Sequence, residues 1–361
     1  MSVEKHTSWA KISRQLIQWT AAFIISFAVF NGLMFLVYHP VNEMARSGGS
    51  SPGLKVSPDY GLYGFEGYAP RRIDSRGYVD PDLPVAKKPY LVVGASHAEG
   101  FHTANGRRYS DILNARCGYT DSLKFYNISH SEYFFPAIVR RLTAMKEEFP
   151  DIAGVIIDID STAADSSQLA EAMDQLHYYE AEDSYEALYT SLSQIERLKY
   201  RAMSLLPALR GLSLQYETFR KSRTGADLNV LREESDEEED PEDKARRLEE
   251  YEESMDETLS FISEFPFDIV IVMHPGAVIS PEGDLQTASE DTDEIFAALC
   301  ERYDIPFIDM TDRFEKAYKE EHIVPFGFMN TSMGAGHMND KAHEMIADAV
   351  YEVLDERGGL R

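Results

Sequence analysis

The stretch Leu91-Val-Val-Gly-Ala-Ser-His-Ala-Glu-Gly100 decides the fold. Its first half is a short aliphatic run closed by a glycine, which predicts a strand. Its second half is small and polar, which predicts a tight turn that lifts Ser96 out at the start of a helix. Working outward, the strand itself spans Tyr90–Val93, and four more runs of the same kind follow at Lys124–Ile128, Gly154–Ile159, Asp268–Met273 and Pro306–Ile308. Short apolar runs without alternation are what parallel strands covered on both faces require. Helix-like patterns at Phe135–Phe149, Asp291–Tyr303 and Lys341–Arg357 separate them. Alternating β and α units joined by right-handed crossovers predict an α/β fold, a three-layer α/β/α sandwich around an open parallel sheet. Sites in such sheets lie beyond the carboxyl ends of the strands. Ser96, Ser161 and His274 all follow candidate strands directly, so all three are expected at that edge.

Between about residues 163 and 265 the rhythm breaks, and the chain reads as helices over Gln168–His177, Tyr185–Leu206 and Asp240–Ile262. This range is expected to be a helical insertion folded back over the site edge. Its acidic run, Arg232-Glu-Glu-Ser-Asp-Glu-Glu-Glu-Asp-Pro241, reads as a solvated linker or helix entry. A calcium loop of the EF-hand type would need a glycine at its sharp turn, and none is there.

Toward the N-terminus, residues 16–38 (LIQWTAAFIISFAVFNGLMFLVY) carry no charge and are long enough to cross a bilayer as a helix. Lys5, Lys11 and Arg14 precede the span and Arg46 is the first cation after it, so residues 1–15 are expected in the cytoplasm and the bulk of the chain outside. Residues 39–85 read as a tether and ordered loop, ending in the motif Asp74-Ser-Arg-Gly-Tyr78, and 86–361 as the main domain. With 361 residues, 43% of them hydrophobic, the chain can bury one good-sized core. A formal charge of -27 excludes a nucleic-acid backbone as partner, whereas a neutral glycan meets no repulsion. Cys117 and Cys300 fall near opposite sheet edges and are expected to stay unpaired.

A second segment completes the chemistry. Gly336-His-Met-Asn-Asp-Lys-Ala-His343 sets His337 just before a helix, so the two segments would supply a hydroxyl nucleophile and an imidazole base. No HExxH or Cys-x-x-Cys spacing occurs, and neither a metal nor a cofactor is expected.

The pair Gly94-Ala-Ser-His-Ala-Glu-Gly100 and Gly336-His-Met-Asn-Asp-Lys-Ala-His343 resembles the first and last blocks of SGNH (GDSL-type) hydrolases and acyltransferases, and Asp74-Ser-Arg-Gly-Tyr resembles the approach in membrane-anchored members. The resemblance implies a flavodoxin-like sheet, Ser96 as nucleophile and His337 as its base. The chain departs from the pattern in several places. The first-block aspartate is Ala95, and Gly334 and Ala335 stand where an aspartate would orient the histidine. Glu132 stands at the second-block glycine and Thr162 near the third-block asparagine. Asp158, Asp160 and Asp309 are therefore candidates to orient His337. Ser161 and Thr162 are candidate oxyanion donors, with Asp160 as an auxiliary group. His97, Asn127, Glu132, His274 and Asn339 are candidates to line the substrate site. Two readings stand. One is a membrane-anchored extracytoplasmic serine ester hydrolase or O-acyltransferase acting on surface or exported polysaccharide beside a membrane-bound acyltransferase. The other is a catalytically inactive glycan-binding or scaffold protein of the same complex.

Overall fold

The computed structural model describes residues 3–37, 74–174 and 240–360, apart from 77, 101, 105, 131–132, 281 and 330–332. It also describes 62, 63, 67, 70 and 71, and within 175–239 the positions 194, 195, 205, 206, 208, 209, 212 and 216. Five parallel strands form the central sheet: β1 (Val85–Gly94), β2 (Leu123–Asn127), β3 (Gly154–Ile159), β4 (Asp268–Met273) and β5 (Phe307–Asp309). Their spatial order is β2-β1-β3-β4-β5. All five lie where the apolar runs put them, with β1 beginning earlier, at Val85, through the exposed pair Lys87-Lys88.

Alternation along each strand splits the core in two. Leu91, Val93, Val155, Ile157, Ile269 and Ile271 join one cluster with α4 (Phe135–Glu148), α5 (Ser166–Asp174), α6 (Pro241–Ser263) and α7 (Asp293–Arg302). Tyr90, Val92, Ile156, Val270 and Val272 join the other with α3 (Tyr109–Arg116), α8 (Thr311–Glu321) and α9 (Asp340–Glu356). The period of two sends successive side chains into opposite layers, which makes the three-layer arrangement. The described residues also include α1 (Val3–Val37) at the N-terminus and the single turn α2 (Ser96–Glu99) after β1, whose Ala98 joins the second cluster.

The expected insertion is partly a regular piece of the sandwich. In α6 the side chains Tyr251, Met255, Leu259 and Ile262 are buried at helical spacing against the sheet. Full burial of such a side chain is worth roughly 1.5–3 kcal/mol, which holds α6 to the sheet as a crossover helix. Asp240 starts it by accepting from Glu242 N at 2.8 Å, and Pro241 occupies the first turn, where a missing N–H costs nothing. The helix read over Tyr185–Leu206 and the acidic run before Asp240 lie almost wholly outside the described residues.

The segment entering the domain is fastened to β2. The Asp74 carboxylate accepts from Arg76 N (2.9 Å), Tyr78 N (3.0 Å) and the Tyr126 hydroxyl (2.7 Å), so Asp74 and Tyr78 of the motif form a buried corner. Asp80 accepts from Asn127 N at 3.0 Å. On the same strand, Asn114 of α3 donates to Phe125 O (2.8 Å) and accepts from Phe125 N (3.0 Å) and Lys124 N (2.8 Å). Cys117 and Cys300 are both free thiols. In α1, Lys11–Met34 is long and apolar enough to cross a membrane, with none of its most apolar window buried.

Candidate active site

The site is built where β1 ends. Gly94 sits opposite Asp158 in the β1–β3 register, and a Cβ at Gly94 would lie 2.7 Å from Ala98 Cβ and 2.8 Å from Asp158 Cβ. Only glycine lets α2 fold this tightly onto the strand end. Ser96 opens that turn and Gly100 closes it in the left-handed region, with φ 61°, where a Cβ would lie 2.6 Å from Arg108. Arg108 is itself buried and fixed by Asp80 (2.6 Å) and Asp111 (2.8 Å). The turn carrying Ser96 thus rests on a buried ionic network, in which burial opposes the guanidinium charge and the carboxylates of Asp111 and Asp80 outweigh it.

His337 comes from the far end of the chain. It lies on β7 (Met333–Met338), paired antiparallel with β6 (Phe326–Gly327). Asn339 follows: its carbonyl caps α9 by accepting from Lys341 N at 2.9 Å, while its amide donates to Val324 O (2.8 Å) and Gly327 O (3.2 Å). Asn339 therefore fixes the loop that presents His337. The outcome is a Ser96 Oγ to His337 Nε2 distance of 3.0 Å, between two half-buried side chains.

Next to this pair the flanking residues are joined as well. His97 Nδ1 accepts from Met338 N at 3.3 Å, so the residue after the serine holds the residue after the histidine. The His97 ring touches those of His274 (centroids 4.7 Å apart) and His337 (5.0 Å), and His102 lies 4.3 Å from His337. Burial, then the neighbouring imidazoles, pushes the His97 pKa well down, which keeps its Nδ1 able to accept.

A second pair lies deeper. His274 Nε2 is 2.9 Å from Asp158 Oδ1, with both side chains 1% exposed. Alternation explains the meeting: Asp158 lies two residues after Ile156 and His274 two after Val272, so both face the α3/α9 layer at the ends of neighbouring strands. Burial opposes the His274 imidazolium, but the charge and hydrogen bond of Asp158 outweigh it, and the pKa is raised. Asp160, half-buried just past β3, adds to the same effect. Beside them the Tyr109 phenol is held neutral, first by burial and then by the Asp158 charge, and its ring stacks on His343 with centroids 5.7 Å apart.

The other expected site residues take different places. Asp158, weighed as the acid for His337, pairs with His274 instead, and Asp309 accepts from Thr311 N at 2.8 Å at the start of α8. Ser161, expected as an oxyanion donor, donates to Glu290 Oε1 at 3.2 Å and accepts from Ala163 N at 3.0 Å. The buried Thr162 hydroxyl is committed to Thr292 (2.8 Å) and Asp293 (2.5 Å), away from Ser96. Asn127, expected to line the substrate site, is buried and donates to Ala98 O at 2.8 Å, bracing α2 from below. His274 is likewise buried and lines no open surface. Glu132 lies outside the described residues. Among the described residues no three His, Cys, Asp or Glu side chains are grouped to hold a metal ion. Sequence reasoning named Asp158 and His274 separately and missed that they form a unit. The signal was there: a carboxylate inside the apolar run Val155-Ile-Ile-Asp-Ile159 needs a buried partner.

No protein-family model matches the sequence, and no curated protein matches it either. Solved structures share a broad likeness. An esterase, EstA, from Pseudoalteromonas sp. is 12% identical with a TM-score of 0.35, over 74% of this chain and 97% of that one. The acetyl xylan esterase AlAXEase is 10% identical with a TM-score of 0.36, over 73% and 99%. A two-domain esterase active on acetylated mannans is 11% identical with a TM-score of 0.34, over 74% and 49%. At such identities and scores these likenesses carry no weight for activity.

Proposed function

We propose that this chain is a membrane-anchored serine acyl-ester enzyme, a hydrolase or O-acyltransferase, with Ser96 as nucleophile and His337 as its base. The observation that carries the reading is the 3.0 Å contact between Ser96 Oγ and His337 Nε2. A hydroxyl is a poor nucleophile at neutral pH, and an imidazole within hydrogen-bond reach removes that handicap. Ser96 Oγ attacks the ester carbonyl and gives its proton to His337 Nε2. The tetrahedral oxyanion then collapses, the C–O bond to the leaving alcohol breaks, and that alcohol takes the proton from His337. Water, or a sugar hydroxyl, repeats the sequence in reverse on the acyl-serine and regenerates both residues. Backbone N–H groups of the turn at Ser96 are the donors this reading assigns to the oxyanion.

The location and the acceptor belong to the same proposal. The apolar span in α1 and the cations before it support an N-terminus in the cytoplasm and a domain outside. The resemblance to membrane-anchored SGNH proteins supports an exported or surface polysaccharide as substrate, with a membrane-bound acyltransferase as partner. The acidic chain tolerates a neutral glycan. The test is hydrolysis of p-nitrophenyl acetate by the full chain in detergent, alongside labelling with a fluorophosphonate and mass analysis of the adduct. Turnover lost in Ser96→Ala, with the adduct on Ser96, supports the reading. Equal turnover in Ser96→Ala, or no adduct at Ser96 in a folded protein, sinks it, and absence of turnover in the parent chain leaves the inactive binding module.

A further inference from the structure

We infer that the described residues between Leu205 and Tyr216 lie in the membrane against α1, so that the domain is held to the bilayer by two elements instead of one. This rests on the reading that α1 is a membrane span. Asn31, inside the apolar stretch, donates from Nδ2 to Leu205 O at 2.9 Å and accepts at Oδ1 from Ala208 N at 3.1 Å. These two backbone groups are the ones a broken helix leaves over. Leu209 N, which would serve Leu205 O in an unbroken helix, donates to Leu206 O at 3.0 Å instead, and Pro207 has no N–H to offer. In water such groups need no partner from another element. In hydrocarbon every backbone polar group must be satisfied within the protein, and Asn31 satisfies both.

Exposure points the same way from both sides. Among the described side chains of α1, Phe27, Asn31 and Met34 are half-buried and the others exposed, and the three follow the i, i+4, i+7 spacing of one helix face. On the other segment Leu205, Leu209, Leu212 and Tyr216 follow the same spacing and are exposed by 43–67%. Among the described residues, an apolar stripe left this exposed and joined to a span that is itself apolar calls for the same solvent as the span. The charge fits a lipid surface: residues 197–223 hold seven Lys or Arg (Arg197, Lys199, Arg201, Arg210, Arg220, Lys221, Arg223) and one acid, Glu217, in a chain with 35 Lys+Arg against 62 Asp+Glu. Basic residues flanking an apolar face are drawn to anionic headgroups.

The two tryptophans of the chain, Trp9 and Trp19, both lie in α1, which makes the test direct. The full chain is reconstituted in vesicles of phosphatidylcholine and phosphatidylglycerol, with or without bromine on the acyl chains. Trp9→Phe leaves Trp19 as the reporter of the span. Trp9→Phe/Trp19→Phe/Leu212→Trp places the reporter on the second segment. The expected result is bromolipid quenching of the indole at position 212 at least half as strong as that of Trp19, and a fall in that quenching of twofold or more when Asn31→Leu is added. Quenching of Trp19 with none at position 212 overturns the inference alone, whether the indole there emits as in water or as covered by protein. Absence of quenching at Trp19 overturns the membrane span, and this inference with it. Quenching at position 212 that Asn31→Leu leaves unchanged overturns the part assigned to Asn31.

Discussion

Two histidines flank the ring of His97, and they meet opposite fates. His337 faces an alcohol, Ser96, in a half-buried position that solvent reaches. His274 faces a carboxylate, Asp158, with both side chains 1% exposed and no reactant able to arrive. The side chains are of one kind and their rings are bridged by a third, yet burial and partner divide the work. A buried His–Asp pair fixes the strand ends on which the accessible pair stands. An imidazole in a cleft is therefore read by what it touches and by how much water reaches it, and the number of histidines nearby says little.

The contrast can be broken most sharply at its reactive end. Ser96→Ala is expected to lower acyl-ester turnover by about 10⁴-fold, while urea unfolding shifts by no more than about 0.5 kcal/mol. A large stability loss would mean that Ser96 is structural like its neighbours. Asp158→Ala should do the reverse in kind: an unfolding free energy lower by about 3–5 kcal/mol, because one member of a buried pair is left without the other. Denaturant titration of the two variants side by side separates the roles. Gly94→Ala should cost about 1–3 kcal/mol in the same titration, since the new methyl meets Ala98 and Asp158 closer than 3 Å.

The bridge itself gives smaller effects. His97→Leu removes the acceptor for Met338 N, and the expected loss is about tenfold in kcat with little change in KM, through misalignment of Ser96 and His337. His97→Asn, whose amide oxygen can take the place of Nδ1, should restore most of it. Acidity should sharpen the same distinction. The folded pKa of His97 lies below its unfolded value of 6.5, so the unfolded chain takes the proton first, and this residue's contribution to stability is present above pH 6.5 and lost as pH falls below it. For His274 the folded pKa is raised, so its contribution is complete below pH 6.5 and lost as pH rises through the folded value. Stability measured between pH 7.5 and 5 should fall less steeply in His97→Asn than in the parent chain. An equal slope would assign the acid limb to other groups.

The sheet was legible because its strands are short, apolar and bounded by turn residues, and a buried parallel strand has little other way to be written. The contact between Ser96 and His337 was to be expected because each lies in a recognisable block at its own end of the chain. The Asp158–His274 pair was not, since its meeting depends on strand register and on which layer each side chain enters, and neither can be read from spacing between residues 116 apart. Ser161 and Thr162 looked available because hydroxyls after a strand often are. Their partners, Glu290, Thr292 and Asp293, lie about 130 residues away and are brought in only by α7. For α6, helix formation was plain from periodicity, but its membership in the sandwich required a sheet face with room for it.

The outer side of β2 has a consequence for how this protein behaves in a crowd. A parallel sheet ends in strands whose outward N–H and C=O groups invite a stranger's strand to join. Here Asn114 occupies both outward groups of Phe125 in the manner of a neighbouring peptide, and Asp80 takes the N–H of Asn127. The strand is thereby finished off with side chains, and many copies of this chain at high local concentration can brush past each other at this margin without zipping together.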